Sequence, residues 1–217
     1  MESSDRSRPP KRVRVIGRAL NDALVRAPWL WPILRGPMRG FFERSAPGWD
    51  ERTGAGSPDH LAALSAAALA VAHQPERVLD VGTGTGEGAL LLAREFPRAS
   101  VRGIDISEEM IRSAQAKIGL DPEGRVAFRV ADAASLPYGE DSFDLVALLN
   151  MPPFFGEIAR VLRPAGSVIV AASWGADTPF FTPVSVLERG FARREIDAVS
   201  KGEVQYGTYW VGRRRLT

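Results

Sequence analysis

A chain of 217 residues is long enough for one α/β domain with a modest extension, and it is too short for two full domains. Hydrophobic residues at 45% and charged residues at 25% exclude a disordered or fibrous chain, and a net charge of +2 gives little support for a polyanionic partner. The absence of cysteine excludes disulfides, thiolate metal sites and cysteine nucleophiles, and it is compatible with the cytoplasmic location that we expect.

The N-terminal part of the chain is predicted to precede the main domain. Residues 1–10 are polar and basic, which predicts a disordered tail without the apolar run of a signal peptide. Residues 11–48 carry apolar side chains at helical spacing and predict a helical cap. This segment contains four helix breakers, Pro28, Pro32, Gly36 and Pro37, which favour two or three short helices.

The cap and its junction with the main domain are rich in aromatic residues, namely Trp29, Trp31, Phe41, Phe42 and Trp49. We expect these side chains to be buried where the short helices cover the main domain. The alternative is a weak contact with a membrane surface, because basic residues flank the same helices. No apolar stretch of the chain is long enough to span a bilayer.

Residues 49–217 are predicted to form the main domain, in which helices and strands alternate. A first helix is expected to begin at Asp59, as its N-cap, and to end at Pro75, and the helix after the second strand is expected to have Ser107 as its N-cap. Buried apolar runs then predict strands at residues 77–82, 100–106, 125–132, 143–150 and 167–174. Alternation of this kind builds a doubly wound parallel sheet. Residues 191–214 leave no room for a helix between two strand-like pieces, so they predict an antiparallel hairpin at one edge.

A glycine-rich loop joins the first strand to its helix. Gly82, Gly84 and Gly86 permit positive φ angles and let a ligand approach the backbone. A dinucleotide pattern can also be drawn through Gly84, Gly86 and Ala89, but Asp80 ends the preceding strand. Its carboxylate would repel a pyrophosphate by roughly 4 kcal/mol per charge pair at about 4 Å. The loop therefore favours a ligand that carries an ammonium or sulfonium group.

Three further polar residues stand at the ends of successive strands. Asp105 follows the glycine loop by about 20 residues, which is the expected place for a carboxylate that accepts ribose hydroxyls. Asp132 ends the third strand and Asn150 ends the fourth. Because ligands of open α/β sheets bind at the carboxyl ends of the strands, these side chains and Asp80 should converge on one crevice.

Together these segments resemble the class I S-adenosylmethionine-dependent methyltransferases. The resemblance is carried by "LDVGTGTG", "GIDIS", "ADAASLPYGEDSFDLV" and "EIARVLRPAGSVIV", and "FFERSAPGWDE" is similar to the lead-in of the small-molecule branch related to the ubiquinone and menaquinone methyltransferases. It implies a Rossmann-like sheet of seven strands with S-adenosylmethionine as cofactor. The residues that the resemblance assigns to the cofactor are Gly82, Thr83, Gly84 and Gly86 for the methionine end, Asp105 for the ribose, and Ile106, Asp132 and Ala133 for the adenine.

The segment "NMPPF" resembles the tetrapeptide of amino-directed methyltransferases, including those that act on DNA, but it departs from that tetrapeptide in one respect. The family places Asp or Asn directly before two prolines, whereas Met151 separates Asn150 from Pro152. This departure argues against a nucleic-acid substrate. We expect Asn150 to face the cofactor, and Met151, Phe154 and Trp49 to line a pocket for a small acceptor.

No catalytic residue is predicted, because methyl transfer from a sulfonium needs a base only if the acceptor must lose a proton. Of the two imidazoles, His73 is expected to be structural and His60 is a candidate base. No residue cluster predicts a metal site, and the absence of cysteine excludes thiol-dependent arsenic methylation. The alternatives are a non-catalytic cofactor-binding scaffold and, with less support, a nucleic-acid methyltransferase. The oligomeric state is left unpredicted.

Overall fold

The computed structural model describes residues 8–119 and 124–216, so most of the predicted disordered tail, residues 1–7, lies outside the described residues. The helices are α1 (Lys11–Arg26), α2 (Trp31–Ser45), α3 (Trp49–Thr53), α4 (Pro58–Leu69), α5 (Glu87–Glu95), α6 (Glu108–Lys117), α7 (Phe155–Val161) and α8 (Val184–Ala192). The strands are β1 (Arg77–Val81), β2 (Ser100–Asp105), β3 (Val126–Val130), β4 (Phe143–Leu149), β5 (Leu162–Ala172), β6 (Ile196–Val204) and β7 (Gly207–Arg214). Short 3₁₀ turns occupy Pro28–Leu30 and Gly175–Asp177.

The described strands form one seven-stranded sheet in the order β3-β2-β1-β4-β5-β7-β6. The first five strands are parallel, whereas β7 runs antiparallel to both β5 and β6. Strands β1 to β3 are added toward one edge of the sheet, and from β4 onward the strands are added toward the other edge. A doubly wound sheet opens a crevice at this point, at the carboxyl ends of β1 and β4. The predicted fold, a Rossmann-like sheet with an antiparallel edge hairpin and an N-terminal helical appendage, is confirmed.

A hydrophobic core covers each face of the sheet. On one face, α4, α5 and α6 bury side chains such as Leu64, Leu92 and Ile111 against the strands. On the other face, α7 and α8 do the same with Ile158 and Phe191. These two layers hold the strand ends in fixed positions, so the polar residues that follow each strand share one rigid edge.

Helix α2 differs from the prediction at its helix breakers. It runs from Trp31 to Ser45 without a break at Gly36 or Pro37. Pro32 lies in the first turn, where an amide hydrogen would have no partner in the helix. Pro37 removes one hydrogen bond from the middle of the helix, but the residue is exposed and water can solvate the carbonyl that loses its donor.

The aromatic residues of the cap are buried only in part, contrary to the prediction. Trp31 is 6% exposed, and Phe42 and Trp49 are half-buried. Trp29 and Phe41, in contrast, are 73% and 50% exposed. Trp29 lies in the 3₁₀ turn two residues before Trp31, and Phe41 lies about 80° around α2 from Trp31, so neither ring shares the direction in which Trp31 is buried.

Two local predictions near α4 and α6 have different outcomes. The N-cap of α4 is Ser57, whose side chain accepts a hydrogen bond from the His60 amide, so the prediction of Asp59 as the cap is wrong. Asp59 lies in the first turn instead, where its charge still favours the helix dipole. Ser107 caps α6 as predicted, with its hydroxyl 3.3 Å from the Met110 amide nitrogen.

Candidate binding site at the carboxyl edge of the sheet

The glycine loop between β1 and α5 has the backbone that its sequence predicts. Gly82, Gly84 and Gly86 all have positive φ angles, of 71°, 54° and 88°. A Cβ atom on Gly82 would lie 2.6 Å from the sulfur of Met151, and one on Gly86 would lie 2.7 Å from the ring of Phe128. A Cβ atom on Gly84 would meet no described atom within 4 Å. The loop is therefore packed on both sides of Gly84, and open space remains over Gly84 itself.

Asp80 lies beneath this loop and is 2% exposed. Its carboxylate accepts a hydrogen bond of 2.6 Å from the Thr83 hydroxyl and lies close to Gly88 at the start of α5. Burial raises the pKa of Asp80 to about 6, although the bond from Thr83 opposes the shift. The structure shows Asp80 bonded to the loop that would hold a ligand, and a direct contact between Asp80 and that ligand stays a prediction.

Asp105 lies at the end of β2 and faces the same loop. One carboxylate oxygen accepts a hydrogen bond of 3.0 Å from the Gly84 amide, and the other accepts one of 2.9 Å from the Ser107 amide. Burial raises the pKa of Asp105, and the two amides oppose that shift. A carboxylate oxygen accepts more than one hydrogen bond, so each oxygen retains acceptor capacity toward the crevice.

Asp132 is bound by the cap. The Trp31 indole donates to both of its carboxylate oxygens, at 2.8 and 2.9 Å, and the Ala134 amide donates to one of them at 2.9 Å. The Arg35 guanidinium lies 3.7 Å away. Trp31 also packs edge-on against Phe154, with the ring centroids 5.1 Å apart. The cap therefore covers the position that the resemblance assigns to the adenine, which the sequence did not indicate.

The bond from Trp31 to Asp132 leads to a testable prediction for stability. Trp31→Phe keeps a buried ring but leaves a half-buried carboxylate without its indole donor, at a cost of about 1–3 kcal/mol of unfolding free energy. Trp29→Phe is the matched control, because Trp29 is 73% exposed and the change should alter stability by less than about 0.5 kcal/mol. Urea denaturation of both variants measures the difference. Equal midpoints for the two variants would show that this bond contributes nothing.

Asn150 adopts a positive φ of 56° directly after β4. Its side-chain oxygen accepts a hydrogen bond of 2.8 Å from the Ser173 amide, and its side-chain nitrogen donates to the Ser173 hydroxyl at 2.9 Å. That nitrogen also lies 3.4 Å from Nε2 of His60. Both ends of the Asn150 amide thus tie β4 to the end of β5. The expectation that Asn150 faces the cofactor stays a prediction.

His60 lies beneath the same network. Its carbonyl accepts a hydrogen bond of 2.7 Å from the Ser173 hydroxyl. Burial lowers the pKa of the imidazole, which keeps it neutral at pH 7. Because Asn150 presents an N–H group to Nε2, the ring proton is assigned to Nδ1. In this tautomer the neutral ring has a lone pair on Nε2 and could accept a proton, as a base must. That lone pair faces Asn150.

A charged cluster that the sequence did not indicate attaches α3 to the glycine loop. Asp50 accepts a hydrogen bond of 2.6 Å from the Thr85 hydroxyl and forms an ion pair with Lys117. Lys117 also binds Glu87, with 2.7 Å between the nitrogen and oxygen. Burial alone would lower the pKa of Lys117, but these two carboxylates raise it. The cluster joins segments far apart in sequence, so no local pattern could reveal it.

The three residues predicted to line the acceptor pocket do not all lie together. Met151 packs against Gly82 of the loop, and Phe154 packs against Trp31 of the cap. Trp49 instead contacts Phe42, with 5.9 Å between the ring centroids. The assignment of all three to a substrate pocket stays a prediction. Within the described ranges, no group of three or more His, Cys, Asp or Glu side chains is arranged to hold a metal ion.

Known proteins are similar to the segment that carries the glycine loop and the strand-end residues. Residues 78–166 match a family model described as a methyltransferase domain. The chain is 41% identical over 114 residues to the O-methyltransferase cnsE of Penicillium expansum, covering 49% of this chain and 41% of that protein. It is 36% identical over 144 residues to the ubiquinone/menaquinone biosynthesis C-methyltransferase UbiE of Syntrophotalea carbinolica, covering 61% and 59%. The chain thus spans about half the length of these relatives.

A solved structure agrees with this comparison at the level of the fold. The crystal structure of a SAM-dependent methyltransferase from Aquifex aeolicus superposes with a TM-score of 0.60 and 20% sequence identity. The superposition covers 72% of this chain and 93% of that one. A larger share of this chain than of the Aquifex aeolicus protein lies outside the superposition. This difference is expected if the two proteins share the sheet and this chain carries an additional segment.

Proposed function

Because residues 78–166 match a family model described as a methyltransferase domain, we propose that this protein binds S-adenosylmethionine and transfers its methyl group to a small-molecule acceptor. The observation that carries the proposal is the pairing of Asp105 with the Gly84 amide. That bond places a half-buried carboxylate with remaining acceptor capacity next to the loop glycine at which a Cβ atom would meet no described atom within 4 Å. The ubiquinone/menaquinone and O-methyltransferase relatives support a small acceptor.

The residues of the site fit such a cofactor in charge and in shape. Asp80 and Asp105 surround the loop with negative charge, which suits a ligand with an ammonium and a sulfonium and opposes a pyrophosphate. The open space over Gly84 allows a ligand to approach the backbone. Asp105 would accept the ribose hydroxyls and Ile106 would pack on the adenine. Trp31 would close the adenine side through its bond to Asp132.

When bound, the cofactor supplies an electrophilic methyl group on a sulfonium, and sulfur keeps the bonding electron pair as the acceptor atom attacks. The chain itself positions the reactants: α3 holds the glycine loop through the hydrogen bond from Thr85 to Asp50, and Asn150 and Ser173 fix the ends of β4 and β5. Alignment of two bound reactants can by itself remove roughly 7–11 kcal/mol of the barrier. We assign Met151 and Phe154 to the acceptor side, where their apolar side chains would suit an apolar acceptor.

The pKa of Asp80 predicts how cofactor affinity depends on pH. Its folded-state pKa of about 6 lies above the ordinary value of 3.8, so the folded protein binds more protons than the unfolded chain between these values. Folding stability from this group therefore falls as the pH rises from about 4 to 6. The ammonium group, which S-adenosylmethionine and S-adenosylhomocysteine share, would favour the ionised carboxylate and lower this pKa. Affinity for S-adenosylhomocysteine should increase between pH 5 and pH 7, with release of a proton near pH 6.

Calorimetric titrations at several pH values, in buffers of different ionisation enthalpy, measure the number of protons released when the ligand binds. In Asp80→Asn the proton release should disappear, and the affinity should be lower and independent of pH in this range. The matched control is Asp144→Asn, because Asp144 lies at the opposite end of the strands, where β4 begins. Proton release that persists in Asp80→Asn would assign the titration to a different group.

Thermal unfolding in the presence of ligands tests the proposed cofactor directly. S-adenosylhomocysteine at a hundred times its dissociation constant should stabilise the protein by about 2.7 kcal/mol, and NAD should not. Equal stabilisation by NAD, or none by S-adenosylhomocysteine, would refute the proposal. Nucleic acid as the acceptor would require salt-sensitive binding to DNA or RNA. The cytoplasmic location inferred from the sequence stays a prediction.

A further inference from the structure

The cap exposes large apolar side chains on both of its helices. The exposed fractions are 73% for Trp29, 69% for Ile33 and 50% for Phe41 along α2 and the turn before it, and 60% for Val15 and 61% for Ile16 on α1. Ile33, Pro37 and Phe41 follow one another at intervals of four residues, so they form one ridge along α2. We call this set, Val15, Ile16, Trp29, Ile33, Pro37 and Phe41, the outer cap surface.

The inner sides of both helices are already occupied. On α1, Gly17 lies against Pro179, and the Asn21 side chain donates to the Phe181 carbonyl at 2.9 Å. On α2, Trp31 binds Asp132. The outer cap surface is therefore the side that remains after the helices have packed, and the exposure of its large apolar side chains has no function in the fold.

The charge around this surface has one sign. Residues 8–45 contain nine Lys and Arg against two Asp and Glu, whereas residues 46–217 contain 18 against 22. Several of the cap's basic residues bind acidic partners on the domain, but Lys11, Arg12, Arg26 and Arg44 are exposed. Within residues 8–119 and 124–216, no ion pair involves these four side chains. Positive charge is thus concentrated where the apolar side chains are exposed.

We propose that the outer cap surface docks on the surface of an anionic phospholipid bilayer. The apolar side chains would contact the acyl chains of the bilayer interface, and the exposed basic residues that flank them would contact the anionic headgroups. A nucleic acid would satisfy the charge but not Trp29 and Ile33, and a second copy of this chain would bring like charges together. No helix of the described residues is long and apolar enough to cross a membrane, so the contact is interfacial.

Vesicle co-sedimentation tests this proposal independently of the methyltransferase activity. The full chain should bind vesicles of phosphatidylcholine mixed with phosphatidylglycerol, and it should bind pure phosphatidylcholine weakly. Trp29→Ser combined with Ile33→Ser should reduce binding to the mixed vesicles by about tenfold or more. Arg12→Gln combined with Arg26→Gln should reduce it by about fivefold per charge removed, with a lower sensitivity to salt.

Leu69→Ser is the matched control, because Leu69 is 77% exposed but lies at the end of α4, outside the cap. It should leave vesicle binding unchanged. All variants should keep the stabilisation by S-adenosylhomocysteine, which separates a loss of docking from a loss of folding. Binding that is equal for the cap variants and Leu69→Ser would overturn the proposal. So would a concentration-dependent dimer that the cap substitutions dissociate, or salt-sensitive binding to duplex DNA that the two arginine substitutions weaken and the Trp29 and Ile33 substitutions leave unchanged.

Discussion

Replacing Asp105 by alanine is expected to weaken the binding of S-adenosylhomocysteine by about a hundredfold or more. The carboxylate would accept both ribose hydroxyls, and hydrogen bonds to a charged group are worth about 1.5–3 kcal/mol each. The substitution also leaves the Gly84 and Ser107 amides without their acceptor, which loosens the loop that holds the cofactor. Isothermal titration calorimetry measures the affinity, and urea denaturation measures the accompanying loss of stability.

Asp144→Ala provides the matched control for this experiment. Asp144 also accepts hydrogen bonds from two backbone amides, those of Glu76 and Arg77, and it binds Arg163. It lies at the start of β4, at the other end of the sheet from the candidate site. This variant should lose stability to a comparable extent and retain its affinity. If Asp105→Ala were to bind as tightly as Asp144→Ala, the ribose assignment would be wrong.

Gly84→Ala is expected to reduce cofactor affinity by about tenfold to a hundredfold, beyond the loss of stability that backbone strain alone causes. The added methyl group meets no described atom of the protein, so the structural cost is limited to the positive φ of 54°, about 1–2 kcal/mol. If the cofactor occupies the space above Gly84, the methyl group overlaps it, and crowding of this kind costs about 1–3 kcal/mol. The affinity for S-adenosylhomocysteine and the unfolding free energy together distinguish the two effects.

Gly119→Ala reproduces the backbone strain at a second position. Gly119 has a φ of 63°, and a Cβ atom there likewise meets no described atom within 4 Å, but the residue follows α6 and lies outside the loop. Both variants should lose similar stability, and only Gly84→Ala should lose affinity. A parallel loss of affinity in Gly119→Ala would mean that strain, and not overlap with a ligand, weakens binding.

Local patterns in the sequence were sufficient for the strands and for the polar residues that end them. The apolar runs predicted β1 to β5, and the lack of room for a helix predicted the β6–β7 hairpin. Helix α8 was not predicted, although Val184, Leu187 and Phe191 have helical spacing. The glycine loop could be recognised because positive φ angles restrict residue type at each position, and such restrictions are visible in one sequence.

The contacts between the cap and the domain could not be predicted from the sequence. Trp31 and Asp132 are 101 positions apart, and Asp50 and Thr85 are 35 apart. Neither pair is marked by a periodic pattern, since each depends on how a whole helix packs over the sheet. Breaks at Gly36 and Pro37 were wrongly predicted because both residues are exposed in α2, where water can solvate the carbonyl that loses its donor. The burial of Trp31 and the exposure of Trp29 follow from how the cap packs on the domain.

Transfer of a labelled methyl group tests the central proposal most directly. The protein would be incubated with S-adenosylmethionine carrying a labelled methyl group and with a metabolite extract, and the labelled product would be identified by mass spectrometry. We predict that the label appears in a small molecule together with one equivalent of S-adenosylhomocysteine, and that Asp105→Ala abolishes the transfer at low cofactor concentration while Asp144→Ala does not. Tight binding of S-adenosylhomocysteine without transfer to any component of the extract, or transfer only to nucleic acid, would contradict the proposed function.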